Sequence, residues 1–345
     1  MTKCKNCFSL IKDLRKETRC STCNEPLHKE CAIKDGGTFL CDVCYTVKEE
    51  GDTLTRETQV EIPQVIRRSH IELYKSCPYA FYLEVIKGIK TKSSSYAQIG
   101  IDLHSLFHQA SLGKITSTKQ MINEYNPTFS NYTDELFEDD LHLYKKMTLG
   151  DLKEKLWIQV NDAVETFFHV LSVLPKHAFA LEKKIEFPIG DNLPKVCITM
   201  DRVDEIHGEL EMIDWKTGAV MVGKKLSSDL QAPLYIYAVR HHFLQPVRNF
   251  TFYYLPENKV RVFERINDDN YTCTVGKREY KVNLTDTIRE IQSIFTKIKK
   301  GEFNVPKNTR NMYFTCKTCH FKKCGTCQGG DIESWQQYNK KNRKE

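Results

Sequence analysis

The pattern of apolar and polar residues divides the chain into a polar beginning, a long periodic middle and a polar end. Residues 1–46 contain little apolar material, and residues 47–64 are polar and indicate a linker. Apolar residues with helical or strand periodicity run from residue 65 to residue 330, and a basic tail occupies 331–345. A unit as short as the first cannot bury a core of its own. The pattern therefore predicts a small N-terminal unit, a linker, one large domain and a tail.

Helices and strands succeed one another within the predicted large domain. Apolar residues at helical spacing predict helices at 69–84, 98–112, 151–174, 228–243 and 283–300. Shorter apolar or alternating runs predict strands at 179–188, 195–206, 209–216, 249–255 and 258–265. Cys273 is expected in a polar loop. Helices followed by a strand meander, a further helix and more strands are typical of an α/β domain with a mixed sheet.

The composition changes this picture through its charge and its cysteines. Of the 345 residues, 40% are hydrophobic and 28% charged, and the net charge of +6 permits a nucleic-acid partner without requiring one. No run approaches roughly 18 apolar residues and the start lacks a signal-peptide core, so neither a membrane span nor export is expected. We expect a reducing compartment, the cytoplasm or the nucleus of a eukaryote. There the fourteen cysteines should bind metal rather than form disulfides.

Seven cysteines and one histidine form four closely spaced pairs near the N-terminus. The pairs are Cys4 with Cys7, Cys20 with Cys23, His28 with Cys31, and Cys41 with Cys44. Two residues separate the members of each pair, a spacing at which a tight turn directs both ligands to one ion. Eight ligands supply two tetrahedral Zn²⁺ ions with no open position, so the zinc would be structural.

The order of these ligands resembles that of a PHD finger, in which alternate pairs share an ion. The resemblance implies one zinc on Cys4, Cys7, His28 and Cys31, and the other on Cys20, Cys23, Cys41 and Cys44. Phe39 lies two residues before Cys41, where that family has an aromatic residue. The segment between Cys31 and Cys41 is shorter than in most PHD fingers, so a RING-like or other treble-clef finger stays open. Such fingers bind peptides, proteins or occasionally nucleic acid, which makes a protein partner one expectation.

Two aspartates and a lysine fall on two adjacent predicted strands. If His207 and Gly208 form the loop between 195–206 and 209–216, the register places Asp201 opposite Asp214. Facing side chains lie about 5 Å apart, so two carboxylates there repel unless a cation such as Mg²⁺ or Mn²⁺ lies between them. Lys216 shares the face of Asp214 and can orient a water molecule or stabilise charge on a phosphate, whereas Trp215 points to the opposite face, into packing. A surface ion pair is the structural alternative for this lysine.

Residues 211–218, EMIDWKTG, resemble the D-aromatic-K-T-G signature of RecB-like PD-(D/E)XK nucleases. Asp201 lies where that family has its first acidic strand residue, whereas Thr199 replaces a frequent glycine. The resemblance implies an α/β fold of the restriction-endonuclease type, with a mixed sheet flanked by helices and preceded here by the small treble-clef or PHD-like zinc finger. It also implies Mg²⁺- or Mn²⁺-dependent catalysis by Asp201, Asp214 and Lys216.

Two motifs ahead of that signature match the same family in the same order. Gly100 and His104 resemble its G-x3-H helix, whose histidine is a metal ligand, although His108 one turn later is an alternative. Glu182 lies where the family has an acidic residue on its first sheet strand, with an ordinary solvated charge as the alternative. The resemblance implies that His104 and Glu182 belong to the active site.

A further motif follows the signature. Gln231 and Tyr235 resemble the family's Q-x3-Y helix, which contacts DNA and the active site. They are four residues apart and so share a helix face. Ser228 and Gln231 could instead form a capping box, a purely structural role.

Cys77 precedes the predicted nuclease core, and a group of four cysteines follows it. This arrangement resembles iron–sulfur members of the family, the AddB nuclease subunits and the CRISPR-associated RecB-like exonucleases. In them one cysteine ahead of the core joins three behind it to hold a 4Fe-4S cluster. The resemblance implies Cys77, Cys316, Cys319 and Cys324 as ligands of a structural cluster. Two alternatives stay open: Cys327 in place of Cys324, and a zinc knuckle made by the four C-terminal cysteines alone.

The resemblance covers residues 65–330 and implies metal-dependent cleavage of DNA, from an end and on single strands, in recombination, repair or DNA processing. Arg67, Arg68, Lys224 and Lys225 could follow phosphates by charge. The main alternative is a non-catalytic DNA-binding or adaptor protein on a nuclease fold. A ubiquitin-ligase role for the finger is a further alternative.

Overall fold

The computed structural model describes residues 17–21, 24, 26–35, 37–41, 61–91, 94–141, 147–305, 316, 319, 321 and 327. The chain divides into two compact units. The first comprises Met1–Pro63, Ser69–Lys92 and Thr296–Glu345, and the second comprises Gln64–Arg68 and Ser93–Phe295. The boundaries expected for the finger, the linker, the nuclease domain and the tail remain predictions.

The described N-terminal residues form two short antiparallel hairpins. Strands β1 (Glu17–Arg19) and β2 (Pro26–His28) pair with each other, as do β3 (Ile33–Asp35) and β4 (Thr38–Leu40). Their buried residues are few, namely Cys20, Leu27, Leu40 and Cys41. So small a cluster is consistent with a unit that depends on ligands rather than on a core.

Next along the chain come β5 (Val65–Arg67), α1 (Arg68–Ser76), α2 (Pro78–Phe81) and a π-helical turn (Tyr82–Ile86). The single helix predicted at 69–84 is therefore interrupted at Cys77, whose φ of −157° is extended. The cause is Pro78, because a proline disfavours helical geometry in the residue before it. Phe303 packs its ring on Phe81 with centroids 6.2 Å apart, and Tyr74 donates a hydrogen bond to Glu302 O at 2.7 Å.

After β5, the second unit continues from Ser93 with four helices and then with the other strands of its sheet. The helices are α3 (Ser95–Ser111), α4 (Thr118–Ser130), α5 (Asp134–Leu141) and α6 (Leu149–Val173). The strands and helices that follow are β6 (Ala180–Phe187), β7 (Lys195–Ile206), β8 (Glu209–Lys216), α7 (Lys225–Ser228), α8 (Gln231–Phe243), β9 (Val247–Tyr254), β10 (Lys259–Arg265), β11 (Asn270–Val275), β12 (Arg278–Asn283) and α9 (Leu284–Lys299).

The strands form one mixed sheet in the order β12-β11-β10-β9-β8-β7-β5, with β6 also paired to β7. The β5–β7 and β8–β9 pairs are parallel, and the other pairs are antiparallel. Helices flank the sheet, so the predicted α/β class with a mixed sheet is confirmed.

The core beside the sheet holds α3 against the centre of the fold. Phe107 of α3 stacks on Phe167 of α6 with centroids 4.3 Å apart, and Phe167 meets Trp215 of β8 at 5.2 Å. Leu103 and Ile99 are buried in the same cluster. This packing fixes the helix that carries His104, and it confirms that Trp215 faces away from the carboxylates.

Three predictions about elements need correction. Cys273 lies on strand β11 and is fully buried, not in a polar loop, because Tyr271 and Cys273 alternate with outward polar residues. The helix predicted from residue 228 begins at Gln231, and its N-cap is Leu230 without a side-chain cap. Ser228 ends α7 instead, so the suggested capping box is wrong.

Among the described residues, no helix combines the length and apolar character needed to cross a bilayer.

Candidate active site

The hairpin of β7 and β8 carries the two aspartates. His207 and Gly208 have φ values of 54° and 81°, the left-handed pair that a type I′ turn needs. The pairs run from Ile206↔Glu209 to Arg202↔Ile213, the predicted register. Asp201 and Asp214 lie one position beyond the last of these pairs, and both are buried. Asp201 Oδ2 accepts the Trp215 N–H at 2.7 Å, which orients its carboxylate.

Lys216 is held between Asp214 and Gln231. Its Nζ lies 2.6 Å from Asp214 Oδ2, an ion-pair distance without hydrogen-bond geometry, and it donates to Gln231 Oε1 at 2.7 Å. The Gln231 amide in turn donates to Asp214 Oδ1. The Phe252 ring lies 4.9 Å from the ammonium. Gln231 of α8 therefore contacts both Asp214 and Lys216 of the D-x-K motif.

A second group of ligands forms at Asp201. One ligand atom each from His104, Glu182 and Asp201 lies within 4.8 Å of the others. His104 Nδ1 is 3.3 Å from Asp201 Oδ1. His108, the alternative, does not belong to this group; its Nδ1 is buried without a hydrogen-bond partner among the described residues. The choice of His104 over His108 remains a prediction that this geometry supports.

Glu182 reaches the group through an irregularity in β6. Its φ is +44°, a left-handed conformation that costs about 1–3 kcal/mol in a residue other than glycine. Leu181↔Arg202 and Lys183↔Met200 pair normally on either side, so β6 keeps its register while Glu182 leaves the ladder. Nothing in the sequence signals this conformation.

The close approach of α3 to β8 accounts for the glycine at position 100 of the G-x3-H motif. A Cβ at this position would lie 3.0 Å from Thr217 Oγ1, tighter than side chains ordinarily pack. A glycine one turn before His104 therefore lets α3 approach the end of β8. Sequence reasoning found the glycine through the motif, but not the contact that requires it.

Burial and neighbouring charges shift the pKa values of Glu182, Asp214 and His104. Burial, together with the Asp201 and Asp214 charges, raises the pKa of Glu182 to about 7 against the opposing effect of His104. Burial also raises the pKa of Asp214, and Lys216 only partly offsets this. Burial lowers the pKa of His104, but the nearby carboxylates, Asp201 first, outweigh it and bring the value to about 9. The cluster thus holds protons at neutral pH that a cation would displace.

The donor set fits a divalent cation. One imidazole nitrogen and carboxylate oxygens suit Mn²⁺, and carboxylate oxygens suit Mg²⁺. The buried Asp214 Oδ2, which lacks a hydrogen-bond partner, is a further oxygen on the same hairpin. His104, Glu182, Asp201 and Asp214 are the residues that would hold the ion.

The predicted cysteine ligands are only partly described. Cys77, Cys316 and Cys327 are buried and Cys319 is half-buried, whereas Cys324 lies outside the described residues. In the finger, Cys41 N–H donates to Cys20 Sγ at 3.4 Å, and Cys31 Sγ lies 3.9 Å from His28 Nδ1. The other four predicted finger ligands, Cys4, Cys7, Cys23 and Cys44, lie outside the described residues.

Two aspartates, a glutamate and a lysine on the sheet, with a histidine of α3 beside Asp201, form the kind of acidic site that metal-dependent nucleases use. A family model described as the PD-(D/E)XK nuclease superfamily matches residues 68–327, and the chain belongs to that superfamily. Membership indicates hydrolysis of phosphodiester bonds with a divalent metal, and therefore a nucleic-acid substrate. Among solved structures, one described as "Crystal structure of SSO0001" is 15% identical with a TM-score of 0.32, over 80% of this chain and 92% of that chain. No curated protein matches the chain.

We expect stabilisation by Mn²⁺ to increase as the pH rises from 6 to 8.5. Metal ligands must be deprotonated, and the raised pKa values of Glu182 (about 7) and His104 (about 9) mean that protons compete with the ion below those values. Saturating Mn²⁺ at a hundred times its Kd adds about 2.7 kcal/mol to the free energy of unfolding. The measurement is the Tm difference with and without Mn²⁺ at each pH. A difference that stays constant over this range, or that persists in His104→Ala/Glu182→Ala, would contradict this site.

Proposed function

We propose that the chain is a metal-dependent DNA exonuclease that acts on single strands or DNA ends in recombination, repair or DNA processing. The observation that carries the proposal is the arrangement of Asp201, Asp214 and Lys216, in which two buried acids and an engaged lysine share one end of the β7–β8 hairpin. A bound Mg²⁺ or Mn²⁺ would polarise the phosphate and lower the pKa of the attacking water.

The protein's own groups divide the remaining work. Asp201, oriented by the Trp215 N–H, and Asp214 provide carboxylate oxygens at fixed positions. Lys216 keeps a cationic donor beside Asp214, and Gln231 fixes the direction of that donor. Tyr235, one helical turn after Gln231, is buried with its ring 6.0 Å from Phe250. Both side chains are buried, so this face of α8 fixes the positions of the groups beside the carboxylates.

The test is cleavage of end-labelled single-stranded DNA by anaerobically purified protein with Mn²⁺, beside Asp214→Ala. We expect the wild type to produce a ladder of short products from one end, and the variant to bind the same DNA without cutting it. Cleavage in the middle of a circular strand would correct the exonuclease assignment. DNA binding without cleavage by the metal-loaded wild type would instead favour the adaptor function.

We further propose that Cys77, Cys316, Cys319 and Cys324 hold a structural 4Fe-4S cluster. Burial raises the pKa of the Cys77 thiol, and the nearby Cys319 raises it further. The proximity of these two cysteines supports a site that includes Cys77, whereas a zinc knuckle of Cys316, Cys319, Cys324 and Cys327 would leave Cys77 out. Cys327 in place of Cys324 is the alternative that replacement of each cysteine would decide.

The N-terminal finger is proposed to bind two Zn²⁺ ions and a protein partner. The Cys41 N–H contact with Cys20 Sγ supports the sharing of an ion by alternate ligand pairs, because it joins the second and fourth pairs. The reducing compartment that these ligands require is the cytoplasm, or the nucleus in a eukaryote.

A further inference from the structure

Arg68 follows directly on the strand that runs beside the aspartate strand. β5 pairs in parallel with β7, with Arg67 opposite Cys197, and Arg68 opens the next helix. Because the two strands are parallel, the chain leaves β5 in the direction in which β7 runs from Cys197 to Asp201. Arg68 therefore follows β5 on the side of Cys197 toward which Asp201 lies.

A hydrogen bond anchors the Arg68 guanidinium to Tyr235. The guanidinium donates to the Tyr235 hydroxyl, which lies within electrostatic range of Asp214 and Asp201. The tyrosine is buried, with 7% of its surface exposed, and packs edge-on against Phe250. A rigid neutral phenol thus sets the position of a cation beside the site. The guanidinium has five N–H donors in a planar fork, so one bond to the phenol is compatible with further bonds to a phosphate.

The negative charges of the site explain why a cation beside it would help to bind a phosphate. Asp201 and Glu182 belong to one ligand group, and the Asp214 carboxyl acts on Glu182 electrostatically. Lys216 is already engaged with Asp214 and Gln231. A phosphodiester brings a further negative charge, which grows on the phosphate oxygens as the bond to phosphorus forms. An arginine fork matches two phosphate oxygens at once, whereas a lysine offers a single point of charge.

We propose that Arg68, positioned by Tyr235, binds the non-bridging oxygens of the phosphate that is cleaved and stabilises their charge in the transition state. The inference rests on the proposed nuclease function and adds a catalytic residue to it. In the reaction a water oxygen bonds to phosphorus and the bond to the leaving sugar oxygen breaks. One proton of the water passes to solvent and one ends on the leaving hydroxyl, while Arg68 stays a cation throughout.

The test compares Arg68→Ala, Arg68→Lys and Tyr235→Phe in steady-state cleavage of single-stranded DNA. Loss of one preorganised donor group lowers kcat by about 100-fold in Arg68→Ala, with a smaller change in KM. Arg68→Lys should recover little of this, because an ammonium cannot replace the fork. Tyr235→Phe keeps the cation but loses its anchor, and should lower kcat by about tenfold. Arg289→Ala, which removes an exposed arginine paired with Asp286, is the matched control and should leave kcat unchanged.

A second measurement does not depend on cleavage. With Ca²⁺ in place of Mn²⁺, the slope of log Kd against log salt for single-stranded DNA should fall by about 0.7 in Arg68→Ala, the loss of one phosphate contact. Unchanged kcat and slope in Arg68→Ala, beside an active wild type, would overturn the role of Arg68 and leave the nuclease function standing. A wild type that binds DNA without cleaving it would overturn the proposed function, and with it the transition-state role of Arg68.

Discussion

Replacement of Lys216 by alanine is expected to lower the rate of DNA cleavage by about 10³-fold while DNA binding changes little. The ammonium lies 2.6 Å from Asp214 Oδ2 and 2.7 Å from Gln231 Oε1, above the Phe252 ring. These three contacts hold the Lys216 ammonium at one position beside the carboxylates. We therefore expect it to act on the reacting phosphate or water and to add little to the overall affinity for DNA. Steady-state cleavage of end-labelled DNA, beside binding measured with Ca²⁺, checks both halves of this expectation.

Two further variants make the Lys216 result specific. Lys216→Arg keeps the charge but not the position of the donor, and we expect it to recover little activity because the two side chains differ in shape and reach. Lys184→Ala removes an exposed lysine of β6 that pairs with Glu186 on the same strand, and this variant should cleave normally. Equal activity in Lys216→Ala and Lys184→Ala would show that the D-x-K lysine is a structural ion pair, the alternative that the sequence left open.

The β7–β8 hairpin was predictable from the sequence because its turn chemistry is local. His207 and Gly208 specify a two-residue turn, that turn specifies the register, and the register places Asp201 and Asp214 one position beyond its last pair. The same reasoning placed Lys216 on the carboxylate face and Trp215 in the core. The register depends on the turn residues, and the directions of Trp215 and Lys216 depend on the alternation of side chains along a strand.

Other parts of the site depend on contacts that no local pattern encodes. The left-handed backbone of Glu182 and the bond between Arg68 and Tyr235 arise from residues that are distant in sequence. The prediction of a loop at Cys273 is wrong for a related reason. Its strand is short and its outward residues are polar, so the sequence NYTCTV reads as a loop until β10 and β12 pair with it.

The helices between residues 113 and 150 were missed for a different reason. Helix α4 contains Asn and an internal Pro127, which are poor helix formers, and its stability comes from the buried Met121 and Tyr125. Tertiary packing therefore outweighs local propensity there.

The cysteine ligand sets remain predictions, because Cys324 and half of the predicted finger ligands lie outside the described residues.

Stability should depend most strongly on an ion pair buried beneath the site. Arg202 donates from Nε and Nη2 to the two oxygens of Asp204, at 2.8 Å each, and also to Pro175 O. Both side chains are almost fully buried, at 1% and 2% exposed. Asp204→Ala would leave the guanidinium buried without its counter-charge, which costs about 3–5 kcal/mol of unfolding free energy. Urea denaturation followed by circular dichroism measures the loss.

Replacement of the whole pair is expected to act in the opposite direction. In Arg202→Met/Asp204→Leu no charge remains to be desolvated, so the free energy of unfolding should return close to the wild-type value or exceed it. Glu205→Ala, on the exposed side of the same strand, is the control and should change stability by less than about 0.5 kcal/mol. Because Arg202 adjoins Asp201, cleavage by the stable double variant also reports whether the ion pair positions the carboxylate that we propose to be catalytic. A single Asp204→Ala variant as stable as the control would mean that the guanidinium finds water or another partner, and the buried pair would lose its structural role.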